Sequence, residues 1–466
     1  MKSLARYALI SCLAAAILPA PLHAAPDNES APAEKADGGK KKKKKKKEAE
    51  KQASDAAAEA SADATGTGAK ASIGDSKESI VPPAAPLDGG WCAWLQNDPG
   101  LLYENTENPW IQSFEISGRF HYQAAYLEGT DINGLDFNDT YDEYRRLRFG
   151  TKTEFLRYFT AEINVNLVDD NRFRDDPFNE LEWGYDTFDE ASLEFDIGKA
   201  FGTGWLDGIK LKYGRMKLKM TEEAHMSSNE IYTIERSGLA DKLGGEEGRP
   251  TGATLELDKG DWELVLGIFS GEDDADFIGG WNDGQFYYAS LQWKPDKDFK
   301  MVLDYTQNDP DGADDALGYG WAIALSSVYD KKNWGILGQL VYGDNGGGVR
   351  APIPRRQGDF HGFVVMPWYW IIEDKLQAVI QYQYASSTET QGLQLPSRYV
   401  RGARDNPAVD IDNGRGSEHH MIYAGLNYYI CGDNLKIMGG VSYDDLSTRD
   451  SDLDALTYMI AFRTSF

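Results

Sequence analysis

From Ile111 onward apolar and polar side chains alternate with a period of two, the repeat of an extended strand whose successive residues point to opposite faces. A first strand sets Phe114, Ile116, Gly118, Phe120, Tyr122, Ala124 and Tyr126 against Glu115, Ser117, Arg119, His121 and Gln123. A second, starting at Arg145, sets Leu147, Phe149, Thr151 and Thr153 against Arg146, Arg148, Lys152 and Glu154. The third sets Phe159, Ala161, Ile163, Val165 and Leu167 against Thr160, Glu162, Asn164 and Asn166. In a two-sheet sandwich such apolar faces meet each other. In a membrane barrel they meet lipid, and the charged faces line the interior.

Connection lengths separate the two folds. Short ones fall at Phe155–Arg157, Asp258–Asp261, Pro295–Asp298, Asp330–Lys332 and Cys431–Asp433. Between them lie long ones, at Asp169–Phe188, Thr221–Pro250, Gly271–Gly284, Gly343–Gly358 and Ser386–Ser417. Alternating short turns and long loops are expected of an outer-membrane barrel, and a sandwich has no reason to show them. The pattern therefore predicts an all-β fold, an antiparallel transmembrane β-barrel of about 16 strands over residues 111–466. Segments near Asp189–Ile197 and Gly362–Met366 are its least regular strands. Aromatics at Tyr287–Tyr288, Trp368–Trp370, Tyr382, Tyr384 and Tyr428–Tyr429 predict interfacial girdles. The last strand, with Leu456, Tyr458, Ile460, Phe462, Thr464 and Phe466 on one face, resembles the C-terminal signal of bacterial outer-membrane barrel proteins.

Beyond the N-terminus no apolar run is long enough for a membrane helix. Lys2 and Arg6 followed by the apolar stretch Ala8–Leu18 predict a signal peptide over 1–24, cleaved after Ala24. A lipobox-like run ending at Cys12 is the lesser alternative, since most of the apolar core follows that cysteine. Residues 25–110 form an arm that is low in complexity up to Trp91, with an eight-lysine run at Lys40–Lys47. Such composition cannot bury enough apolar area to offset ordering entropy, so a disordered periplasmic arm is predicted. Two readings of its lysines stand: a solvated tail, or contact with anionic cell-wall polymer or lipid. The formal net charge of −27 excludes nucleic acid as a partner.

One stretch is more specific: Tyr213-Gly-Arg-Met-Lys-Leu-Lys-Met220, then Ser227-Ser228, Ile231-Tyr-Thr-Ile-Glu-Arg-Ser237, and a glycine-rich return from Gly244 to Gly252. With Arg145-Arg146-Leu147-Arg148-Phe149-Gly150, it resembles the phosphate-selective porin O and P family. The resemblance covers residues 111–466. It implies a sixteen-stranded barrel, usually a homotrimer in contact with outer-membrane lipid, whose long third loop narrows the pore. Here that loop is Thr221–Pro250, with Glu222, Glu223, Glu235 and Arg236 as constriction candidates. Where the family often continues into Pro-Phe-Gly this chain has Leu218-Lys-Met-Thr-Glu-Glu223, and acids at a narrowing count against phosphate selectivity.

Anion transfer needs inward cations that replace lost hydration. Strand parity offers Arg119, Arg146, Arg148, Lys152, Lys210 and Lys212, and adds Lys217 and Lys219 if Gly214 marks a bulge. The competing reading pairs these with lumen carboxylates such as Glu115, Glu154, Glu162 and Glu194, stiffening the wall without selecting a solute. Outer-loop arginines at 350, 355 and 356 and at Arg398, Arg401, Arg404 and Arg415 suggest either an entry funnel or loop pairing. Asp-rich loops at Glu272–Asp274 and Asp309–Asp315 lack EF-hand spacing, and no metal cluster, cofactor motif or catalytic triad is found. Cys92 and Cys431 fall on one side of the wall; they either form a disulfide fastening Trp91–Trp94 to the barrel base or remain free thiols. The expected function is passive diffusion of small hydrophilic solutes, including anions such as phosphate, without catalysis. The alternatives are an envelope anchor acting through the basic arm and an unselective or cation-preferring porin.

Overall fold

The computed structural model describes residues 90–97, 99–168, 184–244, 249–272, 280–281, 284–310, 317–346, 357–449 and 451–466. The leader, the lysine run, loop residues 273–274 and 311–315, and arginines 350, 355 and 356 lie outside them.

In chain order the strands are β1 (Leu101–Glu104), β2 (Ile111–Thr130), β3 (Asp136–Phe155), β4 (Phe159–Asn166), β5 (Phe188–Asp196), β6 (Gly208–Arg215), β7 (Thr251–Lys259), β8 (Trp262–Ser270) and β9 (Gly284–Asp296). The second half comprises β10 (Phe299–Pro310), β11 (Trp321–Lys331), β12 (Trp334–Asp344), β13 (Asp359–Ile372), β14 (Leu376–Ser387), β15 (Glu418–Tyr429), β16 (Leu435–Ser447) and β17 (Asp452–Ser465). From β2 on, each strand pairs antiparallel with the next, and β17 returns to β2. Closure satisfies every ladder in hydrocarbon, where an open edge would leave backbone groups without water.

The seam is finished with care. β17 covers β2 down to Arg119, Phe466 then exchanges two backbone hydrogen bonds with Gly118 at 3.1 and 3.0 Å, and β1 covers Ser113 to Glu115. Gly118 is required there, because a Cβ would lie 2.3 Å from the Phe466 ring. Helix α1 (Gly90–Gln96) is fixed by a Cys92–Cys431 disulfide to the turn between β15 and β16.

Outward faces carry Ile163, Leu193, Leu266, Leu340, Ile380, Ile422 and Ile460, all exposed, as a lipid-facing band requires. Three expectations need correction. The second strand begins at Asp136, not at Arg145, because its first half carries Asp, Asn and Thr on the outward face. Adjacent aromatics do not share a girdle: Tyr287, Tyr369 and Tyr428 are exposed, whereas Tyr288, Trp368 and Tyr429 point inward and are buried. Period-two geometry forces that split. The interior is also not polar throughout, since Leu337, Met366, Trp368, Val379, Met421, Met438 and Met459 form a dry core inside the barrel.

Gly118→Val should displace Phe466 and destabilise the seam by about 1–3 kcal/mol. Heat-dependent mobility of the folded barrel on a denaturing gel measures this, and adding Phe466→Ala should restore part of the loss.

Candidate functional site

The wall of the site is made by β2 and β3. Opposite His121 stands Arg146 and opposite Gln123 stands Glu143, so Tyr122 alone faces both Tyr144 and Arg145. This bulge adds one residue to β3 and lets two consecutive arginines, Arg145 and Arg146, both reach the lumen. Below it normal alternation resumes and aims Arg148 inward too.

Across the lumen runs the segment joining β6 to β7, carrying α2 of the loops' short helices at Glu222–His225 and α3 at Gly238–Leu243. It leaves the wall at Gly214, whose φ of +135° favours glycine and where a Cβ would lie 2.2 Å from the Ala191 carbonyl oxygen. The pairing of β6 with β7 shows no register shift there, so the expected bulge is instead a change of backbone direction. Lys217 follows it into the lumen, while Lys219 is exposed on the other side, its carbonyl bonded by Tyr288.

Anchors then hold the loop against the far wall. Glu223 is buried without a salt bridge among the described residues: it accepts from the Ser237 backbone N–H at 3.0 Å, the Ser237 hydroxyl at 2.5 Å, Gln339 at 2.6 Å and Gln381 at 3.0 Å. Glu222 pairs with Lys300 at 2.8 Å. His225 meets Asp304 at 3.1 Å, and Asn427 donates to the Tyr232 carbonyl at 2.7 Å. Arg463 donates to the carbonyls of Ser228 and Ile234. Arg119 joins the same underside through Ser228 at 2.7 Å. Apolar contacts complete the join, with Tyr232 stacked on Trp368 at 4.5 Å.

A second long loop, between β14 and β15, folds in beside the first. Its helix α4 (Arg398–Gly402) places the Tyr399 hydroxyl 2.8 Å and Arg398 2.9 Å from buried Glu143. Together the two loops fill the β9–β17 side.

What stays open is a cavity of about 690 Å³ in the long-loop half, against β3, β5 and β6. Twelve basic side chains line it: Arg145, Arg146, Arg148, Arg215, Lys217, Arg236, Lys242, Arg249, Arg398, Arg401, Arg404 and Arg415. Among the described residues two carboxylates join them, Asp189 and Asp241. Asp189 holds Arg148 at 2.7 Å and Arg249 at 2.6 Å. Burial pushes the Asp241 carboxyl up, against the pull of Arg401. Arg146 has no carboxylate partner among the described residues; it lies 3.5 Å from His121, and its Nε is buried without a hydrogen bond. Arg236 is held by the carbonyls of Glu223 and Met226 at 2.6 and 3.1 Å, and forms no salt bridge among the described residues.

The short-turn half of β2–β8 is different. There the inward alternation brings Glu115, Glu154, Glu162, Glu190, Glu194, Glu256, Asp258 and Glu263 together with only Lys152, Lys210 and Lys212, and Lys219 nearby. Lys210 pairs with Glu256 and Lys212 with Glu190, each at 2.8 Å. These side chains keep 23–34% of their surface exposed, whereas Gln377, Gln383 and Asn427 on the opposite wall keep none. Water therefore reaches one side of the lumen only.

Of the residues singled out from sequence, Arg146, Arg148, Lys217, Arg236, Arg398, Arg401, Arg404 and Arg415 meet in the basin. Glu222, Glu223 and Glu235 do not line it; Glu222 and Glu223 are anchors, and Glu235 is held by Arg145 at 3.0 Å. Burial pushes the Glu235 carboxyl up, yet Arg145, Arg398 and Arg146 outweigh that and hold it well below the usual carboxylate range. Strand parity missed Arg145, Arg215, Lys242, Arg249 and Asp189. The doubled arginine at 145–146 was the available signal of a bulge.

Residues 114–295 match the family model described as phosphate-selective porin O and P, from β2 to the end of β9. Over that stretch the chain is similar to that family. It is an outer-membrane porin, a barrel for passive diffusion of small solutes. Among solved structures it is similar to the outer membrane channel DcaP of Acinetobacter baumannii, at 12% identity, covering 75% of this chain and 97% of that one with a TM-score of 0.47. It is also similar to an anion-selective porin from Comamonas acidovorans, at 11% identity, covering 75% and 99% with a TM-score of 0.48. No curated protein sequence matches it.

Glu223→Leu removes the acceptor of four buried donors, an expected cost of at least about 3 kcal/mol. Single-channel recordings of this porin variant should show larger and noisier conductance as the loop leaves the wall, against quiet openings in the native protein.

Proposed function

We propose that this porin admits small hydrophilic solutes with a preference for anions, phosphate and carboxylate groups included, selected at the arginine basin. One observation carries the reading: among the described residues twelve basic side chains, eleven of them besides Lys217, face two carboxylates around the open cavity of a chain whose net charge is −27. Guanidinium forks replace the hydration that an oxyanion sheds, and a fixed positive field raises its local concentration. Pairing within the wall accounts for Lys210, Lys212 and Arg148, and leaves Arg146, Arg236 and Arg401 available. The acids of the third loop no longer argue against this reading, because Glu222 and Glu223 are turned into the packed side. We propose further that the barrel is a homotrimer and that the arm issues into the periplasm, as the tie of α1 to a short turn supports. Contact of Lys40–Lys47 with the cell wall is an extension of that orientation.

Under a salt gradient the reconstituted channel should show an anion-favouring reversal potential; a cation-favouring one rejects the proposal. Arg146→Gln and Arg236→Gln should each lower the anion-to-cation permeability ratio about fivefold, as removal of roughly 1 kcal/mol of local attraction predicts.

Acidity should act in the same sense. Burial, reinforced by Arg236 and Arg249, lowers Lys217 to about 5, so it is neutral at pH 7 and gains a charge below pH 5. Asp241, whose carboxyl is raised by burial, takes up its proton at a higher pH than an ordinary aspartate, a change of the same sign. Both changes make the basin more positive, so the permeability ratio should rise between pH 7.5 and 4.5, and Lys217→Met should remove part of the rise.

A further inference from the structure

We infer that the pore is bipolar along its axis, positive in the long-loop half and negative in the short-turn half, and that it therefore rectifies ion flow and favours small zwitterions. This rests on the reading that the arginine basin lies on the permeation path. The two halves are in series along one wall. In the long-loop half Arg146 and Arg236 stand in a cavity with two carboxylates, Asp189 and Asp241, among the described residues. Below it Glu162, Glu194 and Glu263 face the lumen without a salt bridge among the described residues; Glu162 holds Asn164 and Glu263 holds Gln292. Glu230, on the third loop itself, is exposed.

Fixed charge governs ion content wherever a lumen is no wider than a few Debye lengths, each about 8 Å at physiological salt. The outer half then gathers anions and the inner half cations. A simple anion is attracted to the first half and repelled by the second, and a simple cation meets the reverse. A solute with an anionic group at one end and an ammonium at the other satisfies both. Lying across the constriction with its anionic end outward, it is aligned with the internal field. The same arrangement makes conduction directional. When the long-loop side is made negative, anions leave the positive half and cations leave the negative half toward each other, so carriers accumulate. The opposite polarity empties the junction.

The experiment uses the full-length protein reconstituted in planar bilayers and in liposomes. At 50 mM KCl the conductance with the long-loop side negative should exceed that of the opposite polarity by about twofold or more, and the ratio should approach one at 1 M KCl, where the Debye length falls to about 3 Å. In liposome swelling, the zwitterion taurine should enter faster than the anion isethionate, which differs by a hydroxyl in place of the ammonium, and faster than choline. The triple variant E162Q/E194Q/E263Q, which keeps side-chain size, should lose the rectification and pass isethionate at least as fast as taurine. Symmetric conductance at low salt in the native channel, or a triple variant indistinguishable from it, overturns the bipolar pore. If anion preference persists in either case, the basin reading survives its failure. If Arg146→Gln leaves the native permeability ratio unchanged, the basin itself is off the path and both readings fall.

Discussion

A carboxylate held by hydrogen bonds, with no salt bridge among the described residues, decides the shape of the pore. Glu223 is almost fully buried, and a charge in that position is tolerable because four donors converge on it. Two of them are on its own loop and two on strands β12 and β14. Joining those strands to the loop through one side chain fixes which side of the lumen is filled. The neighbouring contacts at Lys300, Asn427 and Arg463 follow the same direction.

Filling one side has an electrostatic result. Apolar residues such as Met366, Met438 and Met459 need a partner inside the barrel, and the two inward loops supply Ile234, Tyr399 and Val400. The wall that receives no loop must face water, and there the chain concentrates its inward charge. Packing on one wall and charge on the other are thus two aspects of a single division of the lumen. A barrel with an evenly polar interior would have no such eccentric path.

Much of the barrel was legible because a strand exposed to lipid on one face and water on the other has to alternate. Ile111–Tyr126 and Leu456–Phe466 announce themselves in this way, as do the turns between strands. Legibility failed where alternation carries two meanings. Trp368 and Met459 alternate as a lipid-facing residue would alternate with its neighbours, yet they belong to an inner core whose other half is a loop far away in sequence. Arg145 was hidden because parity assumes an uninterrupted strand, and Tyr122 faces two residues. The role of Glu222 depended on Lys300 and that of Glu223 on glutamines 339 and 381, partners far away in sequence that no local pattern could supply.

The disulfide between Cys92 and Cys431 spans 339 positions of the sequence, while β1 and β2 follow directly after Cys92. A tension applied to the arm is therefore borne by a covalent link to the turn before β16, and does not peel β1 away from β2 one hydrogen bond at a time. Mechanically, the barrel seam is taken out of the line of load, so the strand that closes the sheet is not also the rope that holds it.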